Sequence, residues 1–146
     1  MEKSSPSNIF FVENGMIDVE QLNKLYRTIG WDSNAQRTHD KTTQMLKVSH
    51  YYITAHSTEN LLVGFARVCG DPYVAQVLDV ITHPAYRCQG IATRCMQGVL
   101  AYLQRSDYIS VTLTDGSRIE DFYQRFGFRA IDANTVSRVW QRKKTI

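Results

Sequence analysis

The fold is decided by residues 79–93, which read DVITHPAYRCQGIAT. The segment starts as the end of an apolar stretch, passes through a proline that cannot donate to a sheet, and reaches a glycine that opens a helical pattern. A strand, a short loop and a helix in this order predict a crossover between two parallel strands. The unpaired amides of the first helical turn carry about half a positive charge. A helix N-terminus of this kind typically binds a phosphate or pyrophosphate, so the segment predicts such a site.

Further elements on both sides of this segment complete a mixed sheet. Asp18 and Gln21 predict a capping box at the first helix, and Ser117 and Glu120 predict another at the last helix, with Gly127 just past its end. The fold class is therefore α/β or α+β, with a disordered tail at 1–7 and a single domain at 8–146. The predicted strands are 8–12, 51–55, 61–69, 73–82, 109–113, 128–131 and 136–140, and the other helices are 18–29, 42–48 and 90–105.

The composition describes one ordinary domain. The chain has 146 residues, 43% of them hydrophobic, and a formal net charge of +3. No apolar run approaches the ~20 residues that cross a bilayer, and the polar start lacks the apolar region of a signal peptide. Three cysteines, at 69, 88 and 95, are too few and too irregular for a disulfide framework or a zinc site. We therefore expect a cytoplasmic protein with no metal and no membrane partner.

Two other functional interpretations of the sequence are weaker. The basic stretch 138–144 resembles a nucleic-acid arm, but a run this short after a last strand is usually a solvated tail, and we expect no nucleic-acid partner. The loop before Gly90 has neither the Gly-x-x-x-x-Gly-Lys-Ser/Thr pattern of a Walker loop nor the Gly-x-Gly-x-x-Gly pattern of a dinucleotide turn. An ordinary strand–loop–helix connection is therefore the alternative to an anion site there.

Several motifs resemble the GCN5-related N-acetyltransferase (GNAT) family. RCQGIA at 87–92 matches its Arg/Gln-x-x-Gly-x-Gly/Ala signature, and DVITHP at 79–84 is similar to its fourth strand and the proline that follows. FYQRFGF at 122–128 resembles its Phe-Tyr-x-x-x-Gly-Phe helix ending. Similarity at 25–31 and 62–67 extends the resemblance over most of the chain in the family's order.

The resemblance implies acetyl transfer from acetyl-CoA to an amine, on a twisted sheet whose parallel fourth and fifth strands splay apart between flanking helices. The pantetheine arm would pair with the backbone of Val80, Ile81 and Thr82. Many relatives carry an asparagine before the last helix, where this chain has Asp115-Gly116-Ser117, so Ser117 is the candidate replacement. The residues implied at the pyrophosphate are Arg87, Cys88, Gln89, Gly90, Ile91, Ala92 and Thr93.

Acetyl transfer to an amine needs a neutral nucleophile, an oxyanion donor and a proton for the departing thiolate. An amine with a pKa of ~10 is almost fully protonated at neutral pH, so a group must accept its proton. The resemblance implies that Tyr123 is the acid beside the CoA sulfur, although its spacing from Ile119 and Phe126 also fits a core aromatic. The oxyanion donor is expected to be a backbone N–H near Val80 or Ile81.

Asp79 is the candidate general base or amine anchor. A carboxylate inside an apolar strand is costly unless it is paired or hydrated. The sequence leaves open the alternative that Asp79 only pairs with an arginine such as Arg67. His83 is interpreted as a solvated loop residue, and neither Cys88 nor Cys95 is expected to be a nucleophile, because direct transfer needs none.

The acceptor is expected to bind near Tyr26, Trp31, Tyr51 and Tyr52. These aromatic residues suit a small hydrophobic or aromatic primary amine, while polyamines, aminoglycosides, amino acids and protein amines stay open as acceptors. The alternative functions are a non-catalytic CoA-binding or protein-interaction module on the same fold and, less favoured, a nucleic-acid-binding domain. A homodimer is also left open.

Overall fold

A computed structural model describes residues 8–114, 122–130 and 137–141. Short 3-10 turns lie at Pro84–Tyr86 and Gln124–Phe126. The helices and strands, in chain order, are β1 (Ile9–Glu13), α1 (Val19–Thr28), α2 (His39–Val48), β2 (Tyr51–Ser57), β3 (Leu62–Gly70), β4 (Val74–Thr82), α3 (Ile91–Arg105), β5 (Ser110–Thr114), β6 (Phe128–Ala130) and β7 (Ser137–Trp140).

The strands form one mixed sheet in the order β1-β2-β3-β4-β5-β7-β6. β4 and β5 are parallel, and the other neighbouring strands are antiparallel. Helix α3 connects the two parallel strands, as the sequence of residues 79–93 predicts. The predicted mixed α/β fold is therefore confirmed.

Each face of the sheet carries its own core. On one face the predicted stripe of α3, which consists of Ile91, Cys95, Val99 and Leu103, is fully buried against β2, β3 and β4. We call this the α3-side core. On the other face α1 packs against β3 and β4, and the residues of this α1-side core are Leu22, Leu25, Tyr26, Leu62, Phe65 and Ile81. Within the described residues no helix is long and apolar enough to cross a membrane.

The start of α1 differs from the predicted capping box. Asp18 caps the helix, because its carboxylate accepts from the amides of Glu20 and Gln21. The Gln21 side chain, however, accepts from Leu62 N at 2.8 Å and donates to Asn60 O at 3.2 Å. The capping-box prediction for Gln21 is therefore wrong, because its amide group is used to join α1 to the β2–β3 hairpin.

Two other predicted boundaries are corrected. Helix α2 begins at His39 rather than Thr42, because the Thr38 hydroxyl caps the earlier turn by accepting from Lys41 N at 3.2 Å. Ile109 precedes β5 and is 79% exposed, so it is not part of the buried alternation of that strand.

Some predictions fall outside the ranges that the structure describes. They are the tail at 1–7, the turn at 115–117 with Ser117, and the beginning of the helix predicted from there. The end of that helix is described as the 3-10 turn Gln124–Phe126, followed by Gly127 in a left-handed conformation with φ +89°.

Replacing Gly64 by valine is expected to destabilise the contact between β3 and the start of α3. A Cβ atom at this position would lie 2.5 Å from Ile91 Cγ2 and 3.0 Å from Ala55 Cβ, so the added side chain overpacks the core. We expect a loss of about 1–3 kcal/mol in the free energy of unfolding, measured by denaturant titration. Thr58→Val in the exposed β2–β3 turn is the control, and equal effects of the two substitutions would contradict the packing argument.

Candidate active site

The parallel strands separate part of the way along β4. Their ladder runs from the pair Val74–Ser110 to the pair Val77–Leu113, whereas β4 continues to Thr82. A cavity of about 760 Å³ opens along the unpaired part of β4. Its walls include residues 80–82 of β4 and the loop and first turn of α3, so it joins a splayed strand end to a helix N-terminus.

The first turn of α3 presents to this cavity backbone donors that the helix itself does not use. Gly90 occupies the N-cap position with φ +79°, and it has no side chain that could accept from the amides of the first turn. Cys88 also has a positive φ, +64°, so the loop curves tightly before the helix. Arg87 lines the cavity and is exposed, which adds a positive charge beside these donors. This arrangement fits a phosphate or pyrophosphate.

Most of the predicted cofactor-binding residues lie at this cavity. Gln89 is an exception, because it lines a smaller neighbouring cavity of about 360 Å³ together with Phe11 and Arg94. Ser117 is not in the described part of the chain. The predicted residues that line the main cavity are Val80, Ile81, Thr82, Arg87, Cys88, Gly90, Ile91, Ala92 and Thr93.

Tyr123 also lines the cavity. Its side chain is only 8% exposed, and its ring packs edge-on against Phe122 and Phe128, with centroids 4.9 and 6.4 Å away. The same side chain is therefore both a core aromatic and a cavity residue, so the two interpretations from the sequence are compatible.

The β3–β4 ladder contains a β-bulge in which Asp79 and Val80 together lie opposite Ala66. Asp79 has a left-handed backbone with φ +56°, which is uncommon for a residue with a side chain. The bulge changes the face on which later residues lie: Val77 packs in the α3-side core, whereas Ile81 packs in the α1-side core. In an uninterrupted strand these two side chains would share one face.

The Asp79 carboxylate is paired with groups from β3 and α1. Arg67 Nε donates to Asp79 Oδ2 over 2.7 Å, and the Tyr26 hydroxyl donates to the same oxygen over 2.6 Å. The Arg67 and Asp79 side chains are only 14% and 16% exposed, and Tyr26 is fully buried. Burial raises the pKa of the Tyr26 hydroxyl, and the Asp79 carboxylate raises it further, so this hydroxyl remains a donor. These contacts favour the paired interpretation of Asp79, which does not line the cavity.

The four predicted acceptor residues separate onto different parts of the fold. Trp31 lines the cavity and is 54% exposed, so it is available to a ligand. Tyr26 is not among the residues that line the cavity, and its hydroxyl donates to Asp79. The Tyr52 hydroxyl donates to the carbonyl of Gly15.

Tyr51 lies on the other face of the sheet, away from Trp31. It stacks on Tyr102 with the ring centroids 4.8 Å apart, and its hydroxyl donates to Glu13 Oε1 over 2.6 Å. The expectation that Tyr51 contacts the acceptor is corrected, because neighbouring residues of a strand point to opposite faces and Tyr51 faces α3.

The structure also gives the surroundings of one histidine and two cysteines that the sequence analysis considered. His83 Nδ1 accepts from Ala85 N over 3.0 Å, so a proton on this nitrogen would break the bond that shapes the loop. Burial raises the pKa of the Cys95 thiol to about 12, which makes it a poor nucleophile. Cys88 is exposed at the cavity wall.

In the described ranges no cluster of three or more His, Cys, Asp or Glu side chains is placed to hold a metal ion.

Sequence reasoning missed two residues of the cavity, Ile29 and Phe122. Ile29 directly precedes the left-handed Gly30 that ends α1, so the turn to Trp31 brings both side chains to the cavity. Phe122 neighbours the proposed acid Tyr123. Each lies close in the sequence to a predicted site residue, Ile29 to Trp31 and Phe122 to Tyr123, and this proximity is the signal that the sequence offers.

Comparisons with known proteins place this geometry in a family. The family model described as an acetyltransferase (GNAT) domain matches residues 28–140. The chain is 27% identical to histone acetyltransferase TAP1 of Glycine max and 28% identical to the chloroplastic GCN5-related N-acetyltransferase 2 of Arabidopsis thaliana, over 96% and 98% of its own length. It spans 66% and 62% of these two relatives.

A solved structure shows the same fold. The GNAT family N-acetyltransferase YhbS of Escherichia coli, in complex with CoA, superposes with a TM-score of 0.68 at 19% identity, covering 96% of this chain and 83% of that one. The family match covers all of β2 to β7, including the helix N-terminus and the splayed strand that form the cavity. The chain therefore belongs to the GNAT acetyltransferase family.

Proposed function

We propose that the protein is an acetyl-CoA-dependent N-acetyltransferase that acetylates a primary amine of a small molecule by direct attack in a ternary complex. The observation that carries this proposal is one cavity bounded by a helix N-terminus, the splayed end of β4 and Tyr123. In this proposal the helix N-terminus is the anion site, the end of β4 supplies backbone hydrogen-bonding groups, and Tyr123 is the proton donor. Acetyl transfer from acetyl-CoA, a thioester that carries a pyrophosphate, needs all three. When bound, acetyl-CoA supplies the acetyl group as a thioester.

Different residues along the cavity have different roles in the proposed reaction. The amides of residues 90–93 and the Arg87 guanidinium bind the pyrophosphate. The backbone of Val80–Thr82 binds the pantetheine arm, and the N–H of Val80 or Ile81 donates to the carbonyl oxygen as negative charge develops there. Tyr123 donates a proton to the departing sulfur.

The remaining step is the loss of a proton from the amine. Asp79 already accepts from Arg67 and Tyr26, which supports a structural partner more than a general base. We therefore propose that the acceptor reacts as the free amine. After its attack on the thioester carbonyl the nitrogen carries a positive charge and loses one proton to water, while Tyr123 protonates the departing thiolate and regains its proton from water. For an alkylamine with a pKa of ~10, kcat/KM should then rise with pH below that value, because the neutral fraction rises.

We place the acceptor at an apolar part of the cavity. Ile29 and Trp31 line it from the end of α1, and Phe122 lines it beside Tyr123. Side chains of this kind support a small hydrophobic or aromatic amine. A protein amine is the second candidate, and it is favoured by the name of the Glycine max relative, a histone acetyltransferase.

A panel of amines tests the proposal. Purified protein is incubated with acetyl-CoA and one arylalkylamine, polyamine, aminoglycoside, amino acid or histone-tail peptide at a time. Release of the free thiol and the mass of the product are then recorded. We expect the highest kcat/KM for an arylalkylamine. A preference for the peptides would support the protein-amine alternative, and acetyl-CoA binding without any transfer would support a non-catalytic module.

A further inference from the structure

The backbone of β4 is held in an unfavourable conformation just before it reaches the cavity. Asp79 has φ +56° within the bulge, a region that residues with a side chain rarely adopt, although aspartate and asparagine tolerate it better than other types. Such a conformation persists only where surrounding contacts fix it. The next residues, Val80–Thr82, line the cavity, so the direction of their backbone groups depends on how the bulge is fixed.

Contacts from separate parts of the fold fix the bulge through one carboxylate oxygen. Arg67 reaches Asp79 Oδ2 from β3, and Tyr26 reaches it from α1. Tyr26 is itself held, since the Arg37 guanidinium lies 3.4 Å from its ring centroid and Phe65 packs edge-on against it. We call Tyr26, Asp79 and Arg67 the bulge network.

Arg67 and Tyr26 have no part in the mechanism proposed above, and neither lines the cavity. We infer that they are positioning residues: through Asp79 they hold the bulge, and thereby aim the backbone of Val80–Thr82 at the acyl group. This inference rests on the proposed function, because it assigns the network a role in the reaction proposed for the cavity.

Asparagine at position 79 separates this role from that of a general base. Asparagine tolerates a left-handed backbone, and its carbonyl oxygen accepts hydrogen bonds from the same two donors. It cannot, however, take a proton from the amine. Alanine lacks both functions. A positioning role therefore predicts that Asp79→Asn is active and Asp79→Ala is not, whereas a base predicts that both are inactive.

The experiment compares these variants with wild-type protein on the best acceptor from the amine panel. We expect Asp79→Asn to keep most of the wild-type kcat and an unchanged pH profile. Asp79→Ala should lower kcat by about 10²-fold, the loss expected from a displacement of about 1 Å at the reacting groups. The affinity of Asp79→Ala for CoA, measured by calorimetry, should change less than kcat, because the substitution leaves the pyrophosphate loop unchanged.

Arg67 and Tyr26 are tested in the same assay. Tyr26→Phe and Arg67→Met should each lower kcat more than the exposed controls Tyr73→Phe and Arg105→Met. Arg67→Met leaves the Asp79 carboxylate buried without its cation and can fail to fold for that reason. In that case the double variant Arg67→Met/Asp79→Asn, which removes both charges, is used instead. This double variant should fold and keep the lowered kcat.

Several results would overturn the inference. Asp79→Asn as inactive as Asp79→Ala, with a changed pH profile, would make Asp79 the base. Full kcat in Asp79→Ala, in Tyr26→Phe or in the Arg67 variants, measured below their melting temperatures, would reduce the network to a stabilising role. Failure of the proposed function is distinguishable, because wild-type protein would then transfer no acetyl group to any amine.

Discussion

The Tyr123→Phe variant is expected to lose about 10²–10⁴-fold in kcat, the usual contribution of a general acid. The substitution removes only the hydroxyl, so the ring contacts with Phe122 and Phe128 should survive and thermal stability should change little. Steady-state kinetics of thiol release, together with the melting temperature, measure both quantities. Tyr102→Phe is the matched control, since Tyr102 is a partly buried tyrosine on the same face whose hydroxyl bonds Tyr108 rather than lining the cavity.

The leaving group provides an independent check on Tyr123. A thioester whose thiol has a lower pKa needs less protonation as it departs, so it should narrow the difference between variant and wild type. An unchanged difference across leaving groups would mean that Tyr123 positions the thioester instead of donating a proton. Full activity of Tyr123→Phe, with stability lost only in Tyr123→Ala, would leave it a packing residue.

The second large effect is expected at the helix N-terminus. Acetyl-CoA at 100 times its Kd should stabilise the wild-type protein by about 2.7 kcal/mol, which appears as a raised melting temperature. Gly90→Val should abolish this increase. A β-branched residue disfavours φ +79°, so the loop must rearrange and withdraw its amides from the pyrophosphate. In the described residues a Cβ atom at Gly90 meets no heavy atom within 4 Å, so the fold should persist.

Gly30→Val is the matched control for this experiment. Gly30 also has a positive φ, +84°, and in the described part of the chain a Cβ atom there likewise meets nothing within 4 Å. Its turn carries Ile29 and Trp31 at the part of the cavity proposed for the acceptor, and not the amides proposed for the pyrophosphate. Both variants should lose unliganded stability, and only Gly90→Val should lose the response to acetyl-CoA. An intact response in Gly90→Val would remove the loop from the binding site.

Much of the fold could be predicted from the sequence because its signals are local. The strand–proline–glycine–helix order at 79–93 predicts the crossover, and the spacing of Ile91, Cys95, Val99 and Leu103 predicts the buried face of α3. The placement of residues 80–82 and 90–93 at one cavity also follows from this segment, since strand end and helix start are only a few residues apart.

What could not be predicted depends on contacts that are distant in sequence. The bulge at Asp79 is invisible in the apolar pattern of β4, and Tyr26 reaches it from 53 positions away. The sequence offers pairing with Arg67 only as one of two alternatives for Asp79, and nothing in it indicates the Tyr26 hydroxyl on the same oxygen. Tyr51 and Tyr52 could have been separated, because adjacent strand residues face opposite sides of the sheet.

The proposed reaction is tested most directly by following the acetyl group itself. Wild-type protein is given acetyl-CoA with an isotopically labelled acetyl group and the best acceptor from the panel, and the reaction is stopped at times within the first turnover. We predict one labelled acetyl on the amine nitrogen for each thiol released, with no label on the protein at any time. Thiol release without acetylated amine, or label that passes through the protein before it reaches the amine, would contradict direct transfer in this cavity.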